Sequence, residues 1–332
     1  MENNKFRILS IDGGGIRGVI PATILASLEA EMRAQNPGFK LYEQFDLICG
    51  TSTGGIIALG IALGINADEI LNIYMNHGGE IFPWWRRNII AKFLSLIPFI
   101  GQPFYSRKKL TELLKKEFSN KRLSNCLTNI CIPVYNASLG QIHVFKTPHT
   151  EGLTNDLHIP AVDVALATSA APAYFSSYSF TYTMPDARKK SYTNLIDGGM
   201  LANNPTLIGL TEAVSRLNIP IENIEILSLG TGKNDYVNRK HLSNPLRWAL
   251  GTNLYELMSS AQSIYINNTV NCLTNNFQGS KKPKCKYVRI EVDLQSKPIN
   301  LDKANTKALK QLNEIGSNLY QNKNNIIKEF IK

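Results

Sequence analysis

Apolar residues along the chain gather in runs of two kinds. Phe6–Ile11 (FRILSI) and residues 45–49 are short and nearly unbroken, which predicts strands buried on both faces. Similar runs at 130–135, 142–145, 194–196, Ile224–Leu229 and 287–292 predict five more strands. Elsewhere the spacing is helical. Ile24, Leu25, Leu28 and Met32 follow Pro21 at intervals of one helical face, predicting a helix that opens at Pro21 and runs to about Ala34. Helices are also expected over 55–63, 67–77, Lys108–Phe118, 162–170 and 206–217. Strands that alternate with helices and are rich in Ile, Val and Leu predict an α/β fold with a largely parallel sheet covered on both faces. From Asp302 onward, Leu309, Leu312, Ile315 and Leu319 keep helical spacing despite an Asn/Lys bias. The expected organisation is a domain over 1–300 with a helical tail over 301–332 packed on it. No internal repeat is evident.

Composition adds limits to this outline. At 332 residues and 43% hydrophobic, with no apolar run of 18, the chain reads as a soluble globular protein with a substantial core. Its N-terminus lacks a basic stretch followed by an apolar one, so no secretory signal is expected. Five cysteines without C-x-x-C spacing suit a reduced, cytosolic protein with no structural zinc. Lys and Arg exceed Asp and Glu by 36 to 26, and the excess is concentrated: residues 86–122 hold ten basic side chains against two acidic ones. That concentration favours an anionic partner. Residues 81–109 place Trp84, Trp85, Arg86 and Arg87 ahead of an apolar patch over 89–100, which is too short to span a bilayer. Aromatic and basic residues beside a short apolar patch suit a headgroup boundary better than a nucleic-acid polymer. The stretch is expected to cap the active-site mouth at an interface; a packed helical lid or a subunit contact is the alternative.

The candidate chemistry begins at Gly50-Thr51-Ser52-Thr53-Gly54, a G-x-S-x-G pattern between a predicted strand and a predicted helix. There a serine can occupy a strained turn with its hydroxyl exposed, while Gly50 and Gly54 allow the backbone to close around it. A serine needs a base. The five histidines (His77, His143, His149, His158 and His241) do not stand in small-residue turns after strands, but Asp197 does, followed by Gly198 and Gly199. A carboxylate there could take the serine proton directly; a plain Asp-Gly-Gly turn is the other reading. A third element, Asp12-Gly13-Gly14-Gly15-Ile16-Arg17-Gly18, follows the first strand. Its amides could converge on an anion as an oxyanion hole. Gly13, Gly15 and Gly18 also satisfy a dinucleotide fingerprint with Glu29 or Glu31 as ribose acid, but that reading leaves Ser52 and Asp197 without a purpose.

DGGGIRG (12–18), GTSTG (50–54) and DGG (197–199), with ALATSAAPAYF (165–175), GGMLANNPT (198–206) and SLGTG (228–232), resemble the patatin-like phospholipases. The resemblance implies a three-layer α/β/α fold and hydrolysis of lipid acyl esters by a Ser–Asp dyad that needs no cofactor. It implies Ser52 as nucleophile, Asp197 as base, and the Gly13, Gly14 and Gly15 backbone as oxyanion hole, with Arg17 matching the family's arginine beside that loop. HVFKTPH (143–149) and GGEIFP (78–83) further resemble the bacterial anti-phage branch gated by cyclic oligonucleotides. That likeness implies a homo-oligomer, a cyclic dinucleotide activator, membrane phospholipid as substrate, and action at the inner face of the membrane. No residue run by itself marks a nucleotide pocket. An unregulated lysophospholipase or general lipid esterase is the rival enzyme, and a nucleotide-binding module using the first glycine loop the rival non-enzyme.

Overall fold

A computed structural model describes residues 5–83, 103–150, 152, 155–233, 253–276, 282–294 and 298–332. Among the described residues eight strands make one sheet: β1 (Phe6–Ile11), β2 (Leu47–Gly50), β3 (Asn129–Asn136), β4 (Gln141–Lys146), β5 (Tyr178–Thr183), β6 (Lys189–Asp197), β7 (Ile224–Leu229) and β8 (Lys286–Ile290). β3, β2, β1, β7 and β8 run parallel in that spatial order. β4 and β6 pair antiparallel with β3, and β5 with β6.

The described helices are α1 (Val19–Gln35), α2 (Thr53–Ala62), α3 (Ala67–Ile81), α4 (Lys108–Phe118), α5 (Ala161–Thr168), α6 (Gly199–Ala202), α7 (Thr206–Ser215), α8 (Asn253–Leu273) and α9 (Thr306–Lys328). Alternation along the strands sorts them into layers, because successive side chains point to opposite faces. Leu9 and Ile11 of β1 share a core with α1, α2 and α9, whereas Ile8 packs with Leu210 and Ala213 of α7 and Val270 of α8. Helices therefore cover both faces, which is the α/β arrangement the strand composition predicts.

Three differences from the sequence outline have physical reasons. α1 begins at Val19 rather than Pro21, since a proline in the first turn lacks only an N–H that has no helical acceptor there. β6 extends back to Lys189, and its exposed half, paired with β5, carries no apolar run. β5 and α8 were not predicted. Of the stretch expected to cap the site, residues 84–102 lie outside the described residues.

Candidate active site

Ser52 stands between β2 and α2 with φ 55° and ψ −121°, a left-handed conformation that is strained for a residue with a Cβ. The turn is tight enough that a Cβ on Gly54 would collide with the Ile11 carbonyl, and one on Gly50 with the Gly54 carbonyl. Ser52 N–H donates to Thr168 Oγ1 at 3.0 Å, and that hydroxyl donates to the Pro133 carbonyl at 2.8 Å. The flanking threonines are tied sideways, Thr51 Oγ1 to the Ala202 carbonyl at 2.6 Å and Thr53 Oγ1 to the Tyr74 hydroxyl at 2.7 Å. The serine is thus held in place on the wall of a cleft.

Asp197 ends β6, fully buried, where β3 pairs Val134 with it. Its N–H donates to the Ala170 carbonyl at 3.0 Å, and its Oδ1 accepts from Gly199 N–H at 2.7 Å. Burial pushes its pKa up to about 7, although the Ser52 hydroxyl, the Gly199 amide and the Tyr255 hydroxyl all favour the charged form. Oδ2 makes no closer hydrogen bond of standard geometry among the described residues, so the Ser52 and Tyr255 contacts are longer-range. The structure therefore brings Ser52 and Asp197, distant in sequence, beside one another.

The glycine loop lines the same cleft. Gly13 N–H is committed to the Asn203 carbonyl at 2.9 Å, and the Gly13 carbonyl accepts from Thr231 Oγ1 at 2.7 Å. The Gly14 and Gly15 amides have no acceptor among the described residues, so they, rather than Gly13, are free to meet an anion. Gly15 has φ +54°, and a Cβ there would strike the Leu301 carbonyl. Arg17 lines the cleft while buried, and its Nε and Nη1 have no hydrogen-bond partner among the described residues. The acids a dinucleotide ribose would need are engaged elsewhere: Glu29 accepts from Ala67 N–H and Arg33, and Glu31 from Tyr320 and Lys328.

Away from this polar end the cleft wall is apolar, with Ile56, Ile81, Phe82, Leu110, Tyr174 and Phe175. A single cavity combining two open amides, an unpartnered guanidinium and a long apolar wall can accept a charged headgroup and an acyl chain. No histidine lines it among the described residues. His77 pairs with Glu80 and His149 with Glu212, while His143 lies near Asp156; His241 lies outside the described residues. Cys131, His149 and Glu212 hold possible ligand atoms within 4.8 Å of one another, but Glu212 is already taken by Lys146 Nζ at 2.5 Å and His149 Nε2 at 2.9 Å.

Four buried polar residues of the site escaped sequence reasoning. Asn203 holds Gly13 and donates through Nδ2 to Ser263 Oγ at 3.0 Å. Ser263 Oγ in turn donates to Asp12 Oδ2 at 3.0 Å, and Arg289 grips both oxygens of Asp12 at 2.7 and 3.2 Å. Tyr255 sits one helical turn from Ser259 on α8, against Asp197. Only GGMLANNPT offered a signal, through Asn203.

A family profile described as patatin-like phospholipase matches residues 9–210. The cGAMP-activated phospholipase of Escherichia coli (strain TW11681) is 35% identical over 256 residues, covering 75% of this chain and 68% of that protein. Its namesake in Vibrio cholerae serotype O1 (strain ATCC 39315 / El Tor Inaba N16961) is 36% identical over 242 residues, covering 70% and 66%. The chain thus spans about two thirds of the length of these two relatives. Patatin-like protein 2 of Oryza sativa subsp. indica is 30% identical over 346 residues, covering 94% and 83%. No helix among the described residues is long and apolar enough to cross a membrane.

Proposed function

The chain belongs to the patatin-like phospholipase family, and from that premise we propose that it cleaves fatty-acyl esters of membrane phospholipids with a Ser52–Asp197 dyad under the control of a cyclic dinucleotide. The observation that carries the dyad is a buried carboxyl with a proton affinity near neutrality beside a strained serine. A base works best when its pKa lies near the working pH, and an ordinary aspartate is too acidic for that. Asp197 accepts the proton as Ser52 Oγ attacks the ester carbonyl. Gly14 and Gly15 N–H hold the developing oxyanion, each worth about 3 kcal/mol in sites of this kind. The tetrahedral intermediate collapses, the lysophospholipid alcohol leaves with the proton from Asp197, and the acyl group stays on Ser52. Asp197 then takes a proton from water, whose oxygen attacks the acyl-serine; as the acyl–Oγ bond breaks, Asp197 returns the proton to Ser52 Oγ and fatty acid is released. The buried guanidinium of Arg17, which lines the cleft with Nε and Nη1 unpartnered among the described residues, suits the phosphodiester of the headgroup.

This dyad predicts an acid limb. Asp197 must be deprotonated to act, so kcat/KM should fall about tenfold for each pH unit below about 7, reaching about 100-fold at pH 5. A soluble short-chain ester followed from pH 5 to 9 measures it, and a flat profile between pH 5 and 8 would exclude Asp197 as the base.

The control by nucleotide is supported by the two cGAMP-activated relatives. Action as a homo-oligomer, peripheral at the inner face of the membrane, belongs to the same reading. Fatty-acid release from phospholipid vesicles should rise at least tenfold on adding cGAMP. Equal release with and without every cyclic dinucleotide would leave the hydrolase and remove the switch.

A further inference from the structure

HVFKTPH, the motif that the catalytic chemistry leaves unused, forms β4 and the turn after it. Its His143 and Val144 line a second cleft, of about 610 Å³, with Asn155, Asp156, Lys190 and Tyr192. This volume falls within the range of about 300–1,000 Å³ that small-molecule sites usually enclose.

The wall has the groups that a nucleotide needs. Tyr192 is only half-buried, its ring centroid 5.1 Å from that of His143, and it lies nearly parallel to Tyr182 at an interplanar angle of 12°. A half-exposed tyrosine such as Tyr192 can stack a purine with little regard to sequence. Among the described residues, Lys190 Nζ is held only by the Asn155 side chain, at 3.1 Å, and can meet a phosphodiester. Lys146 also borders the cleft, but its ammonium is engaged by Glu212. Asp156 Oδ2 accepts from Lys146 N–H at 3.1 Å and lies 3.9 Å from His143 Nε2, while Oδ1 meets the Tyr192 hydroxyl at 3.5 Å and keeps accepting capacity. A carboxylate placed there can accept from the ring N–H and exocyclic amine of a guanine.

β6 links this cleft to the active site. The strand that bears Lys190 and Tyr192 at one end bears Asp197 at the other. Between them its register against β5 shifts, and Asn194 turns left-handed at φ 52°. The bend is pinned from several sides: Asn194 N–H donates to Ser179 Oγ at 2.9 Å, and Asn194 Nδ2 to Ser138 Oγ at 3.0 Å. Movement of the cleft half of β6 therefore has a defined point at which to act on the Asp197 half.

We propose that the cleft between β4 and the β5–β6 hairpin binds the cyclic dinucleotide, and that its occupancy sets the position of Asp197 through β6. This rests on the reading that a cyclic dinucleotide controls the enzyme. Stacking on Tyr192 supplies affinity for either purine, Lys190 meets a phosphodiester, and Asp156 selects the guanine half.

Calorimetric titration of the full chain with cGAMP, paired with vesicle hydrolysis, tests the site. Lys190→Glu should weaken cGAMP binding at least fivefold and raise the nucleotide concentration for half-activation to match, with the unfolding temperature of the free protein unchanged. Asp156→Asn should narrow the preference for cGAMP over cyclic di-AMP by at least fivefold, and Lys307→Glu, at an exposed position of α9 outside the cleft lining, should do neither. If wild type binds and responds to cGAMP while Lys190→Glu and Asp156→Asn bind it within fivefold of wild type with unchanged preference, the cleft is excluded and the switch stands. If wild type neither binds nor responds to cGAMP, cyclic di-GMP or cyclic di-AMP, the switch and the cleft fall together.

Discussion

Asp197→Asn will lower turnover by about 10,000-fold and, at pH 8, make the fold more stable by up to about 4 kcal/mol. The two effects have opposite signs because one carboxyl causes both. In the unfolded chain Asp197 loses its proton near its ordinary value of 3.8, whereas in the folded protein it keeps the proton up to about 7. Across that window the native state binds the extra proton, so wild-type stability declines as pH rises from 4 to 7 and stays at the lower level above it. Asparagine fills the same space with no charge to desolvate, and the decline disappears. Ser52→Ala should show a comparable loss of turnover but not the gain in stability, since it leaves the carboxyl where it is. The double variant should be no slower than either single one, as expected of groups that act as a unit. Ester hydrolysis together with urea denaturation at pH 4 and pH 8 measures both quantities. Equal stability of wild type and Asp197→Asn at pH 8 would show that the carboxyl is not desolvated in solution.

The parts of this site that were legible in the sequence are those that constrain their own backbone. Ser52 could be read because Gly50 and Gly54 must be small for the turn around it to close, and that requirement is local. Asp197 could be read because two glycines follow a short apolar run. The glycine loop was legible as a whole, yet which of its amides stay open was not, because Gly13 is claimed by Asn203 from a distant turn. Asn203, Tyr255, Ser263 and Arg289 share a different property. Each is a buried polar group whose partner comes from far along the chain, and nothing in its own neighbourhood marks it.

The same distinction separates the elements that were read from those that were missed. β1, β2 and β7 are buried on both faces and announce themselves as apolar runs. β5 carries a weaker signal: Phe180 and Tyr182 are buried and alternate with exposed Ser179, Thr181 and Thr183. α8 turns Tyr255, Ser259 and Ser263 toward the cleft, so its inward face is partly hydroxylic and no apolar stripe forms. Function removed the periodicity that would have revealed the helix.

Arg289→Ala should destabilise the protein by about 3–5 kcal/mol, more at pH 8 than at pH 5. Its guanidinium on β8 is nearly enclosed, as is Asp12, with side-chain exposures of 8% and 2%. Besides gripping Asp12, it donates to Ser228 Oγ at 2.8 Å and to Glu291 Oε2 at 2.5 Å. Burial opposes its charge, but Asp12 and Glu291 more than offset that and raise its pKa. Two carboxylates converge on one cation, so deleting the cation leaves the buried Asp12 uncompensated beside the half-buried Glu291. Burial already raises the pKa of Asp12, so at pH 5 it can relieve this by taking up a proton, and at pH 8 it cannot. The damage should reach the chemistry too, since Asp12 precedes the glycine loop and Glu291 Oε1 accepts from Gly232 N–H at 2.8 Å on the other rim of the cleft. Pairing Arg289→Met with Asp12→Asn should recover part of the stability, because it removes a charge from each side instead of stranding one. Urea denaturation at the two pH values gives the comparison. A double variant less stable than Arg289→Ala would mean that Arg289 acts by packing, and that the charge of Asp12 contributes nothing to holding the loop.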